Sequence, residues 1–162
     1  MSMNNPAENL KQRWRNEGEK ARQKLKSFKK RAPKDLDERF EKAHDEVFEN
    51  LNCLDCGNCC KTTSPMLFEK DIELLAGHLK LKPGKFVERY LFRDTDGIYA
   101  FRQTPCPFLG SDNLCSVYEF RPKACREYPH TNMRKMHTRL QLAERNVVIC
   151  PAVLEILKKL AL

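Results

Sequence analysis

Four thiols fall within eight residues at Cys53-Leu54-Asp55-Cys56-Gly57-Asn58-Cys59-Cys60, and no other stretch of the chain is as improbable by chance. Each Cys-x-x-Cys step bends the backbone so that two sulfurs face one point, the geometry of thiolate metal sites. Gly57 permits the left-handed turn that aims amide N–H groups back at a thiolate. Cys59 and Cys60 are adjacent, and adjacent side chains tend to diverge and rarely serve a single mononuclear ion together. Two metals, a multinuclear cluster, or one cysteine that is not a ligand must follow.

The other thiols are Cys106, Cys115, Cys125 and Cys150. The first three are separated by eight and nine residues in a segment punctuated by Pro105, Pro107, Pro122 and Pro129, so it has little hydrogen-bonded ladder of its own and needs cross-links to hold it. Cys150-Pro151 precedes a short apolar run. Eight thiols make two sets of four, and the spacing alone does not assign them.

Zinc is the preferred metal: it takes four thiolates, forms a closed structural site and holds a loop-rich domain together. Iron, mononuclear or as an iron-sulfur cluster, is the other candidate, because Cys53, Cys56 and Cys59 match the first part of a ferredoxin run. Position 63 is Thr, so the fourth cysteine of that run is missing locally; Cys106-Pro107 or Cys150-Pro151 would have to supply it from a distance. Disulfides and free buried cysteines are the readings that metal has to displace.

Arg121, Arg126, Tyr118 and Tyr128 surround the later cysteines. They read as structural, with guanidinium groups bonding loop carbonyls and rings packing over the metal site. His44, His78, His130 and His137 all read as non-ligands, His130 after Pro129 being the best placed of them. No residue is assigned a catalytic role, and no Gly-rich loop follows a clear strand to cradle a nucleotide-type cofactor.

These motifs together resemble the CxxCxxCC family, the YkgJ-type cysteine-cluster proteins. The resemblance rests on Cys53 to Cys60, Cys106-Pro107-Phe108-Leu109, Cys115 before Ser116-Val117-Tyr118, Arg121-Pro122, Cys125-Arg126 and Cys150-Pro151, spanning about residues 51 to 155. Tyr128 stands where the family has Phe. The resemblance implies zinc or iron chelation and a metal-ligand role for all eight cysteines. A flagellin lysine methylase carries a related cluster, which leaves protein N-methylation open as a distant activity.

Helices must position this cluster. Leu10, Trp14, Ala21, Leu25 and Phe28 form one apolar stripe over residues 7 to 31, weakened at Gly18 and ended by Pro33. A second helix is predicted from Asp35 towards Asn50, burying Leu36, Phe40, Ala43, Val47 and Leu51 and leading directly to Cys53. Leu67 to Lys80 reads as an amphipathic helix facing inward with Phe68, Ile72, Leu75 and Leu79. A short helix around Phe86, Val87, Tyr90 and Leu91 follows Lys82-Pro83-Gly84. The turn Asp94-Thr95-Asp96-Gly97 then joins Phe92 to the extended run Ile98 to Arg102 as a hairpin. Arg134 to Arg145 is ambiguous between strand and helix, and Ala152 to Leu160 is a helix with Pro151 at its first position.

The 162 residues carry a net charge of +8, placed unevenly: 12 basic against 6 acidic residues up to position 40, and 18 against 16 afterwards. A nucleic-acid or protein partner, if there is one, belongs on the basic N-terminal helices. Charged residues precede any apolar run and no window reaches the length of a membrane span, so the expectation is a cytoplasmic protein with no membrane contact. The expected architecture is α+β: a small, mostly helical, metal-stabilised cysteine-rich domain over 51–162 with a short hairpin, preceded by a basic helical extension over 1–50. The leading function is metal binding of a structural kind. An iron-sulfur redox or lysine N-methylase-like enzyme, and a nucleic-acid or protein-binding module using the N-terminal arm, are the alternatives.

Overall fold

The computed structural model describes residues 6–162; residues 1–5, the start of the expected extension, lie outside them. In chain order the helices are α1 (Leu10–Glu17), α2 (Glu19–Lys30), α3 (Leu36–Phe48), α4 (Asn58–Thr62), α5 (Glu69–His78), α6 (Pro83–Tyr90), α7 (Lys123–Glu127), α8 (Leu140–Asn146) and α9 (Pro151–Lys159). Two strands, β1 (Leu91–Arg93) and β2 (Tyr99–Phe101), form an antiparallel hairpin between α6 and α7. The protein is therefore α+β and mostly helical. Among the described residues no helix is long and apolar enough to cross a membrane. The chain forms two compact units, one of residues up to Cys56 together with Pro129–Leu162, the other of Gly57–Tyr128.

In the first unit the N-terminal stripe is buried as its spacing requires: Leu10, Trp14, Ala21, Leu25 and Phe28 all lose contact with solvent. Gly18 separates α1 from α2: its N–H donates to the Trp14 carbonyl at 3.1 Å, closing α1, and its carbonyl accepts from Arg22 N–H at 2.8 Å, opening α2. A Cβ at position 18 would run into the Trp14 ring and carbonyl. The Arg22 guanidinium spans this junction, bonding the carbonyls of Trp14 and Arg15 with its plane 5.2 Å from the indole centre.

The stripe packs on α9, which buries Pro151, Ala152, Val153, Leu154, Ile156 and Leu157. A helix apolar nearly all round belongs inside, and α9 lies against α1, α2 and α3. Each fully buried Leu, Ile or Phe contributes about 1.5–3 kcal/mol. Surface ion pairs such as Arg13–Glu155 at 2.9 Å and Lys159–Glu46 at 2.8 Å are worth about 0–1 kcal/mol each, so burial dominates. From α3, Asp37 accepts the N–H groups of Lys135 at 2.7 Å and Met136 at 2.8 Å. This settles the ambiguous Arg134–Arg145 stretch as a 3-10 turn over Met136–Thr138 followed by α8. The second helix stops at Phe48, short of Asn50, and Leu51 is only half-buried.

The second unit is built on Leu67, Ile72, Leu75, Ala76, Phe86, Leu91, Phe101, Phe108 and Val117. Pro83 opens α6 at its first turn, where a missing N–H costs nothing. The hairpin pairs Phe92 with Ala100, as expected, and Asp94 Oδ1 closes the turn by accepting from Asp96 N–H at 3.0 Å and Ile98 N–H at 2.8 Å. Leu67 adds a single bridge to Tyr99. Phe68 departs from expectation. It precedes the first turn of α5, so helical periodicity does not govern its direction, and it is exposed while Ile72 and Leu75 are buried.

Candidate metal centre

The division into two units cuts the cysteine run between Cys56 and Gly57. Cys53 and Cys56 belong to the first unit, on a 3-10 turn whose N-terminus Asn52 caps by accepting Leu54 N–H at 3.0 Å. Cys59 and Cys60 belong to the second, on α4. Gly57 starts that helix at φ 54°, the left-handed conformation expected of it, and a Cβ there would press on the Asn113 side chain at 3.1 Å. The adjacent sulfurs of Cys59 and Cys60 lie 4.0 Å apart, in contact, although neighbouring side chains usually diverge.

Two loops and the short helix α7 of the second unit bring thiols to Cys60. Cys106 N–H donates to the Cys60 carbonyl at 2.8 Å, which fixes the Cys106-Pro107-Phe108-Leu109 loop against α4. Phe108 anchors the same loop in the core, 5.6 Å from Phe101 and 5.2 Å from Tyr90 between ring centres. Leu109 bridges to Cys115, with Ser116 N–H on the Phe108 carbonyl at 2.9 Å. Cys125 sits on α7, whose Lys123 N–H donates to the buried Asp71 carboxylate at 2.9 Å. Every pair among Cys60, Cys106, Cys115 and Cys125 is close enough for a charge on one sulfur to raise the pKa of the other.

Electrostatics at this tetrad pull in two directions. Burial pushes Cys106 up to about 11 and Cys125 up to about 12, and raises Cys115 as well. Against burial, backbone N–H groups of Phe108 and Leu109 bond the Cys106 sulfur, that of Val117 bonds Cys115, and the Arg121 guanidinium favours ionised Cys115 and Cys125. Cys60 is lowered to about 7, chiefly by its hydrogen bond with Cys59. N–H donors two and three residues after a cysteine are spent on the thiolate, the form that binds metal.

The first unit gathers Cys53, Cys56 and Cys150. Cys150 caps α9 and takes hydrogen bonds from the N–H groups of Val153 and Ala152, while burial pushes it up to about 11 and the nearby Cys53 and Cys56 add to the rise. The same N–H cradle thus recurs at Cys106 and at Cys150, each followed by proline.

Among the other candidates, Arg121 lies 3.5 Å from the Tyr118 ring centre and bonds the Tyr118 carbonyl at 3.1 Å, and Arg126 bonds the Arg121 carbonyl at 2.5 Å. These are the carbonyl contacts expected of them. His78 stacks on Phe120 at 4.2 Å, and His44 is bonded through Nδ1 to Thr131 Oγ1 at 2.8 Å. His137 is exposed; His130 is half-buried in a left-handed conformation, φ 64°. Asp71 escaped the sequence reading: Oδ2 accepts Phe68 N–H at the start of α5 while Oδ1 holds α7. The signal was an acid at the third position of a helix opening, which reads as a local cap and says nothing of a second partner.

Among the described residues no three His, Cys, Asp or Glu side chains are arranged so that they could hold a metal ion. The donor chemistry nevertheless fits a soft divalent cation. Buried thiols raised to about 11 and 12 stay neutral without a compensating cation, and a metal ion held by Cys60, Cys106, Cys115 and Cys125 would supply the positive charge that favours their thiolate form.

The family model described as "Putative zinc- or iron-chelating domain" matches residues 52–150. The chain is also similar to the uncharacterized protein MJ0661 of Methanocaldococcus jannaschii, 30% identical over 83 residues, which covers 49% of this chain and 44% of that protein. The chain thus spans less than half the length of that relative. No solved structure matches significantly. The chain belongs to the CxxCxxCC family, and metal binding is its class of function.

Proposed function

From this membership we propose that the chain holds two structural zinc ions, one on Cys60, Cys106, Cys115 and Cys125, the other on Cys53, Cys56 and Cys150. The observation that carries the reading is the mutual proximity of Cys60, Cys106, Cys115 and Cys125 in the second unit. Four thiolates close the coordination of a tetrahedral ion and leave no open position, which suits a structural role. The three thiolates of the first unit leave one position for a further ligand. Zinc is favoured over iron because a redox-silent ion with no geometric demand of its own suits a loop segment whose order depends on its cross-links.

Elemental analysis and a visible spectrum of protein purified anaerobically without added metal test this. Zinc near about two per chain and a colourless solution are expected. Cys125→Ser and Cys150→Ser should each lose about one equivalent, and different ones. Iron with sulfide and a brown absorption would replace the structural reading with a redox one. Full metal content in both variants would refute the ligand assignment.

A further inference from the structure

The outward face of α1 and α2 carries charge that nothing in the first unit cancels. Lys11, Arg15, Lys20, Lys26, Lys30 and Arg31 are exposed, and among the described residues none of them is in an ion pair. The carboxylates on the same rod are Glu17, engaged by Arg13 and Lys158, and Glu19, which accepts from Gln23. Lys11 and Arg15, and again Lys26 and Lys30, are like charges one helical turn apart, an arrangement that destabilises a helix by about 0.2–0.5 kcal/mol per pair. The fold gains nothing from it.

The structure also narrows what this face fits. An anionic membrane would take the helices by their apolar side, but Leu10, Trp14, Ala21, Leu25 and Phe28 are all buried in the unit's own core. Single-stranded nucleic acid is held by aromatic rings stacked on bases, and both aromatic residues of this rod are among those buried. What remains exposed is a broad polar side on which cationic heads outnumber the two carboxylates of Glu17 and Glu19. α2, which carries Lys20, Lys26 and Lys30, is about 18 Å long, comparable to about five base-pair steps of a duplex, and α1 adds Lys11 and Arg15 on the far side of Gly18.

We propose that the α1–α2 face binds the phosphodiester backbone of a nucleic-acid duplex, without reading its sequence. This inference rests on the first unit alone and does not depend on which metal the thiols hold.

The test is fluorescence anisotropy with the full, metal-loaded chain and labelled 20-base-pair RNA and DNA duplexes, with the single strands and phosphatidylserine vesicles alongside. If four to six phosphates are neutralised, affinity falls roughly a hundred- to a thousand-fold between 50 and 200 mM salt. The triple variant Lys20→Glu, Lys26→Glu, Lys30→Glu should weaken duplex binding at least about tenfold, and circular dichroism verifies that it is folded. Lys70→Glu, Lys82→Glu, Lys85→Glu makes the same charge change on the exposed surface of the second unit and should alter binding by less than about threefold. Binding to either duplex with this pattern supports the proposal, and the tighter of the two identifies the natural class. Equal loss in both triple variants, tighter binding to single strands, or binding to vesicles but not duplexes would each overturn it.

Discussion

Replacing Asp71 with alanine should loosen the segment that carries Cys125 without touching a thiol. The carboxylate is 4% exposed and accepts two backbone N–H groups, Phe68 at 3.0 Å and Lys123 at 2.9 Å. Hydrogen bonds to a charged group contribute about 1.5–3 kcal/mol each. The Phe68 bond falls at the low end, because that helix start lies near solvent and water replaces part of the loss. The pair is therefore worth about 3 kcal/mol, and for a chain of this size the melting temperature should drop about 6–12 °C. Asp71→Asn keeps one acceptor but turns an NH2 towards one of the donors, so about 2 kcal/mol should go. Thermal unfolding by far-ultraviolet circular dichroism measures both, and metal analysis on the same samples should show the Cys125 site partly emptied. An Asp71→Ala protein within about 0.5 kcal/mol of wild type, with full metal content, would refute the claim that this carboxylate positions α7.

Gly18→Ala should lower stability by about 1–3 kcal/mol through collision with the Trp14 ring, although helix propensity alone predicts a gain of about 1 kcal/mol; the direction of the shift in a urea melt decides. Gly57→Ala should cost about 1–2 kcal/mol, since φ 54° disfavours any Cβ and the Asn113 side chain crowds it at 3.1 Å, and a lowered melting temperature is the readout. His44 is held neutral by burial, which places its folded pKa below the ordinary 6.5. The unfolded chain therefore takes up the proton first. Its contribution is complete above pH 6.5 and is lost as pH falls from 6.5 towards the folded pKa, so the melting temperature should decline over that range in the wild type and decline less in His44→Gln.

Much of the fold was legible because burial repeats with the geometry of the element. Leu10, Trp14, Ala21, Leu25 and Phe28 share a face whatever they pack against, and Leu36, Phe40, Ala43 and Val47 likewise. The hairpin was legible from Asp94 and Gly97, since one supplies a side-chain acceptor within the turn and the other the positive φ it needs, 79° here. Phe68 was misplaced because the period holds only inside the helix. Gly18 marks the weak point of the first stripe as its type implies, since α1 ends and α2 begins there, but the close approach of the Trp14 ring four residues back has no signature in the sequence.

By itself the sequence determined the chemistry: eight thiols in Cys-x-x-Cys and Cys-Pro settings, a family of metal chelators, and a basic N-terminal rod. It did so because thiolate affinity, turn preference and helical period are local properties of residue type and short spacing. Which thiols share a neighbourhood was decided by tertiary structure alone. Residues 129–162 return to the N-terminal helices because α9 is apolar nearly all round and must be enclosed, and that return carries Cys150 to Cys53 and Cys56. Cys60 is left to join Cys106, Cys115 and Cys125 on loops held by Phe108 and Asp71. No spacing rule reaches across that distance, because the pairing is set by which surfaces bury one another and not by the order of residues along the chain.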